Sequence, residues 1–359
     1  MNFLLSPEQI EIQTSVARYL DAECPSTRLH ELFDAQDTTA DPALWQGLLD
    51  LGVTALALPE QYGGMGLELV DLALVAEVLG SRAAPTPFLG HVLASIAINL
   101  AGNEEQKQRW LPGLADGSLS ATMALAEDGD AWQPDQWRIA AGTAITGGKR
   151  FVTHAAQADL IVVGLEGGRL AVVQAGAAGL SIASQDIVDR TRPCSVVEFD
   201  ATPAEMLDGG AATVDRLRDA ALVLLAADAY GGASRCVGMA VEYAKLRKQF
   251  GVVIGQFQAL KHQLADIAVD IEPARGLYWY AAHAWDRLPE QAARSAAQAK
   301  AHLADRYLHI ARRTVEAHGG IGYTWEFDVQ VFLKRAMFNF AWLGSPATHR
   351  ARAAALAGW

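Results

Sequence analysis

The chain has 359 residues, 51% of them hydrophobic and 19% charged, with 41 acidic against 29 basic side chains and a net charge of −12. That length suits two or three domains, and the apolar share is enough to build a large core rather than a disordered chain. The acidic balance, with no basic run to offset it, excludes nucleic acid as the expected partner, because such binding rests on Lys and Arg neutralising phosphates.

In chain order, the first elements are helical. Ser6-Pro7-Glu8-Gln9 reads as a helix start, with Ser at the cap, Pro in the first turn and Gln placed to close a capping box. Ile12, Val16 and Leu20 then recur every four residues. Gly and Pro make Leu58–Gly66 a loop. Helical patterns follow at Val70–Leu79 and Val92–Leu100, and Asn103-Glu104-Glu105-Gln106 opens a further short helix.

Near Ser118 the texture changes to short apolar runs. Asp159–Gly164 and Arg169–Gln174, separated by Leu165-Glu166-Gly167-Gly168, predict a hairpin, and Ser195–Phe199 alternates like a half-buried strand. Helices return near Val214. Leu260, Leu264, Ile267 and Ile271 form one core stripe, and Leu303, Tyr307, Ile310, Thr314 and Ala317 form another. The expected fold class is α+β, in three domains: 1–117 all-α, 118–212 an antiparallel β domain, and 213–359 a helical bundle.

Cys24, Cys194 and Cys236 show neither metal-ligand nor redox spacing, so free thiols in a reducing compartment are expected. The N-terminus lacks the basic-then-apolar order of a leader, and no run reaches the ~18 uncharged apolar residues of a membrane helix. A cytoplasmic protein without a membrane partner is the expectation.

Several motifs carry little. The dinucleotide Gly-x-Gly-x-x-Gly motif after a strand is absent, as is the phosphate-binding Gly-x-x-x-x-Gly-Lys-Ser/Thr loop. Ser234 lacks the second glycine of a nucleophile elbow and falls in a helix. Cys236 reads as a small buried hydrophobe. His302 and His309 share a helix face but have no third ligand nearby, so no metal site is expected.

Arg247-Lys248-Gln249-Phe250-Gly251 through Gln256-Phe257-Gln258 is richer, since it lies between two helices. A guanidinium there can pair with phosphate, the amides can read a nucleotide, and the ring can pack on a planar group. The same run resembles the bundle signature of the acyl-CoA dehydrogenases. Other segments resemble that family in its own order: Pro59–Gly66, Trp110-Leu111-Pro112 with Gly117, Gly148–Thr153 followed by Ala158-Asp159, and His318-Gly319-Gly320-Ile321-Gly322-Tyr323-Thr324-Trp325-Glu326.

The resemblance implies a helical domain, a β domain and a four-helix bundle, with FAD between the last two and crossing to a second subunit. It places Arg247, Gln249, Phe250 and Gln258 against the FAD of a neighbouring chain, and has Gly319 and Gly320 admit backbone to that cofactor. Phe151 and Thr153 would face the isoalloxazine of the chain's own site. It implies α,β-dehydrogenation of an acyl-CoA thioester. A glutamate removes the Cα proton while the β hydrogen leaves as hydride to the flavin. Electrons would then pass to an electron-transfer flavoprotein or similar acceptor.

The departures from the family pattern are specific. Leu343 stands at the usual glutamate position and Ala221 at the alternative one, so the catalytic residue is unknown. Asp219 is two residues from Ala221, which turns a helix by about 200° and faces it away. Asp228 reads as structural. Glu127-Asp128-Gly129-Asp130-Ala131-Trp132 replaces Glu-Pro-Gly-x-Gly-Ser, so the Ser that would touch flavin phosphate is missing. Glu316 stands where Gln is usual. These losses fall in the chain's own site, while the turn that reaches a neighbour is intact. The leading expectation is a subunit of a heteromeric enzyme, similar to those that shorten steroid side chains, with a paralogous partner supplying the glutamate. A self-sufficient homomeric enzyme with an unorthodox base and a flavin-free scaffold on the same fold are the alternatives.

Overall fold

The computed structural model describes residues 4–35 and 41–359. Among the described residues six α-helices come first: α1 (Pro7–Glu23), α2 (Ser26–Asp34), α3 (Pro42–Asp50), α4 (Leu69–Ser81), α5 (Phe88–Ala101) and α6 (Glu104–Asp116). The capping box read from Ser6 forms, with Gln9 N donating to Ser6 Oγ and Ser6 N to Gln9 Oε1. Asn103 and Gln106 form the same reciprocal pair at the start of α6. α4 and α5 are buried almost all round, because the rest of the protein wraps them.

Seven strands follow: β1 (Ala121–Ala124), β2 (Ala144–Thr153), β3 (Leu160–Leu165), β4 (Arg169–Gln174), β5 (Leu180–Gln185), β6 (Cys194–Pro203) and β7 (Glu205–Met206). They make two sheets, ordered β1-β3-β4-β7 and β2-β6-β5. The predicted hairpin is β3–β4, and Gly167 and Gly168 both take positive φ in its turn. The domain is antiparallel except for one pair, β1 with β3, which run parallel. The intervening chain crosses to the other sheet as β2, so β1 and β3 meet by a crossover rather than a tight turn.

The helical return is α7 (Ala211–Leu246), a short hairpin β8 (Lys248–Gln249) with β9 (Val252–Val253), then α8 (Gln258–Ile271), α9 (Arg275–Arg287), α10 (Pro289–His318), α11 (Val329–Ala341) and α12 (Pro346–Leu356). α7 is long and apolar enough to cross a membrane by composition alone, but 83% of its most apolar window is buried within the protein. It packs against α4, α5, α9 and α10, and so joins the first helices to the bundle.

A charged network ties the β domain to the bundle. Asp228 on α7 accepts from Arg192 at 2.6 Å, from Arg335 on α11 at 3.0 Å, and from Asn339. Arg335 also meets Asp189 at 3.0 Å and donates to the Thr191 hydroxyl. All are buried. Lys300 on α10, fully buried, donates to the Asn339 carbonyl, and burial brings its pKa down to about 7. Asp228 is thus the hub that clamps the 189–192 loop onto two helices, in keeping with the structural role read from its position.

Candidate active site

The site residues read from sequence fall into two groups. The first lies at one end of the bundle. Arg247 caps α7, and its carbonyl accepts from Ile254 N at 2.8 Å, which closes the hairpin turn. Arg247, Gln249, Phe250 and Gln258 are all exposed, Phe250 to 93%. Neither the Arg247 nor the Gln258 side chain has a polar partner among the described residues, so both are free to meet a ligand or another chain. Phe250 sits at φ +53°, a conformation costly for a residue with Cβ, and its ring meets Phe257 at 6.2 Å.

Gly319 and Gly320 stand at the same end. His318, the last residue of α10, stacks on Tyr243 in the last turn of α7, with ring centroids 4.3 Å apart. Gly319 has φ +65°, which glycine adopts without strain, and a Cβ on either glycine would meet nothing within 4 Å. The backbone there is open to close approach. Glu316 points outward and pairs with Arg313 at 2.8 Å.

The second group is split: Phe151 lines a cleft between the β domain and the bundle, whereas Thr153 does not line it and turns its hydroxyl toward Gly90 of α5. Phe151, on β2, takes φ +54°. Its ring stacks against Trp132 at 5.8 Å, and its carbonyl accepts from Trp342 Nε1 at 3.2 Å. Trp342 meets Trp132 edge-on at 5.7 Å and stacks on Phe338 at 5.8 Å. These four rings wall an open cavity of about 500 Å³. Asp130 and Asp189 also line it, the Asp189 carboxylate being held by Arg335 and Thr191, and no Lys or Arg does. Thr153 is buried, and its hydroxyl has no hydrogen-bond partner among the described residues.

Behind Trp132 is a second cavity of about 20 Å³. Ala221 from α7 and Leu343 from the loop after α11 both line it, each 2% exposed, beside Trp132, Trp137 and Leu217. The two positions at which a glutamate would stand therefore converge on one space, and no carboxylate lines it. Arg218 is its one charged wall, paired with Asp215 at 2.7 Å and bonded to Gln133 at 3.2 Å. Leu343 has φ +62° and is followed by Gly344 at φ +104°. His349 Nε2 holds the Leu343 carbonyl at 3.0 Å. The turn is tight, and the side chain it carries has no proton-accepting group.

Asp219 faces elsewhere. It pairs with Arg352 of α12 at 2.7 Å and does not line the cavity. Burial raises its pKa and Arg352 opposes that shift.

The loop bearing Trp132 is fixed by Glu127. One carboxylate accepts from Arg138 N at 2.7 Å, Ile139 N at 3.3 Å and Lys149 Nζ at 2.8 Å. Burial lowers the Lys149 pKa to about 8, and Glu127 partly restores it. Trp137 lies under the Lys149 ammonium, in space that Gly164 leaves open: a Cβ there would come within 2.6 Å of the ring.

Sequence reasoning missed the four-ring wall and the small cavity. The one signal was Trp132 standing where the family pattern has Ser. The buried charged network carried no motif beyond the acidic residue on α7.

Two family models match the chain: acyl-CoA dehydrogenase, N-terminal domain, over residues 6–118, and acyl-CoA dehydrogenase, C-terminal domain, over 210–357. The acyl-CoA dehydrogenase IpdE2 of Mycolicibacterium smegmatis is 32% identical over 310 residues, 85% of each chain. Among solved structures, a variant of the Tcur3481–Tcur3483 steroid ACAD superposes with TM-score 0.89 at 30% identity, covering 98% of each chain. The ChsE4–ChsE5 complex from Mycobacterium tuberculosis superposes with TM-score 0.89 at 25% identity, covering 100% of this chain and 99% of that one.

Proposed function

Since the chain belongs to the acyl-CoA dehydrogenase family of flavoprotein oxidoreductases acting on CH–CH bonds, we propose that it works as one subunit of a heteromeric enzyme. It completes a partner's FAD site while the partner supplies the glutamate. The observation that carries this reading is the shared cavity of Ala221 and Leu343, which no carboxylate lines and which is too small for an acyl chain. The α proton of a thioester is only weakly acidic, so a site without a carboxylate at that point cannot take it.

The chain's own cleft does not suit a whole FAD. Its rings could face a flat heterocycle, but no Lys or Arg lines the cleft to hold a pyrophosphate, and the exposed carboxylate of Asp130 would oppose one. The exposed turn does suit a cofactor approaching from outside. Arg247 would pair with a phosphate, Gln249 and Gln258 would offer amides, Phe250 would cover an apolar face, and Gly319 and Gly320 would let backbone come close. FAD, when bound there, supplies the acceptor for the substrate's β hydride. Two structural relatives support the reading by their names, one a ChsE4–ChsE5 complex and one a Tcur3481–Tcur3483 pair. The homomeric alternative lacks a base in position, because Asp219 is held by Arg352 outside the cavity.

The test is co-expression with a paralogous chain that carries the glutamate, followed by purification and visible absorbance. Flavin should be retained by the complex and lost from it with Arg247→Ala. Undiminished flavin in the Arg247→Ala complex refutes the proposal.

A further inference from the structure

Absence of a carboxylate explains why the chain's own site is silent in chemistry. It does not explain why the cavity at Ala221 and Leu343 is shut. Removing a glutamate side chain from a pocket ordinarily leaves more room, and leucine and alanine fill no more than the space next to them. A volume of about 20 Å³ holds little more than a single water, so something else occupies the space.

That something is the Trp132 indole, which alone of the four cleft rings lines both spaces: the open cavity of about 500 Å³ on one side and the closed one on the other. Its ring is held between two others. It stacks on Phe151 with an interplanar angle of 23°, meets Trp342 edge-on at 63°, and is only 8% exposed. Trp342 is itself fixed by the Phe151 carbonyl and by Phe338. From below, the backbone is set by the turn of Gly129 at φ +74° and Asp130 at φ +58°, and Trp132 N donates to the Asp130 carbonyl at 2.9 Å. The Glu127 carboxylate anchors both ends of this loop through Lys149, Arg138 and Ile139. An indole so enclosed is a fixed wall, since every rotamer change would break a ring contact.

We infer that Trp132 is a partition that seals this chain's own acyl cavity from its open cleft and so excludes acyl thioesters from a site that could not process them. The identification of the small cavity with the acyl position rests on the family reading of Ala221 and Leu343 given above. The partition has a clear use in a two-chain enzyme. A half-site that still took substrate would hold it without turning it over.

The experiment compares octanoyl-CoA with CoA by titration calorimetry on the purified full-length chain. Wild type binds the octanoyl form no tighter than CoA. Trp132→Ala joins the two spaces and prefers octanoyl-CoA by roughly tenfold or more, the gain from burying a few methylenes. Trp132→Leu, which keeps apolar packing but sheds the second ring, shows the same preference to a lesser degree and serves if the alanine variant does not fold. A wild-type chain that already prefers octanoyl-CoA tenfold overturns the inference. So does a folded Trp132 variant with no gain for the octanoyl form. These titrations need neither partner nor flavin, so they fail separately from the Arg247→Ala test of the heteromeric reading.

Discussion

Ala221 and Leu343, one on the first bundle helix and one after the fifth, line the same closed cavity. Leu343→Glu therefore buries a carboxylate among apolar walls, with Arg218 already engaged by Asp215 and Gln133. The variant should lose on the order of 3 kcal/mol of stability by urea unfolding, and should show no dehydrogenation of octanoyl-CoA on its own.

Asp219→Asn separates the structural and chemical readings of that carboxyl. The change weakens the ion pair with Arg352 at 2.7 Å, so a loss of roughly 1–3 kcal/mol in urea unfolding is expected. Turnover of the assembled two-chain enzyme should stay unchanged. A collapse of turnover in a folded complex would revive Asp219 as the base.

Phe250→Gly should act with opposite signs in the free chain and in the assembly. The ring is 93% exposed and its backbone sits at φ +53°. Relief of that strain should stabilise the isolated chain by roughly 0.5–1 kcal/mol. In the two-chain complex the same change should reduce retained flavin, read by absorbance after gel filtration.

Asp228→Ala leaves Arg192 and Arg335 buried without their shared carboxylate. A loss of about 3–5 kcal/mol is expected in chemical unfolding, because an uncompensated buried charge costs more than the pair contributes.

His349 supports the Leu343 turn and makes the fold acid-sensitive. Burial, aided by the charge of Lys300, lowers its pKa to about 3, and burial also takes His154 to about 3 and His91 to about 4. The unfolded chain binds these protons near pH 6.5 while the folded chain refuses them, so stability is complete above that pH and falls below it. Each histidine adds up to ~1.4 kcal/mol per pH unit until its folded pKa is reached. Urea unfolding at pH 6.5 and pH 5 should show this slope, reduced by about one proton in His349→Gln.

Much of the fold was legible because its signals are local. The Ser6 and Asn103 capping boxes and the β3–β4 hairpin follow from short spacings, and the core stripes of α8 and α10 follow from helical period. The parallel pairing of β1 with β3 was not legible, because strand partnership across a crossover leaves no mark in either strand. The buried clamp around Asp228 joins residues from three distant segments, and charge alone does not reveal that Arg192 and Arg335 converge there.

The sequence by itself determined the helix–sheet–helix order, the polar Arg247 turn between two helices, and the lack of a carboxylate at Leu343 and Ala221, all of which are properties of residues and their near neighbours. Only the tertiary structure decided that those two positions share one cavity and that Trp132 shuts it. Which side chains meet across α7, the 127–139 loop and the turn after α11 is fixed by close packing of elements far apart in the chain, and no local spacing encodes a volume.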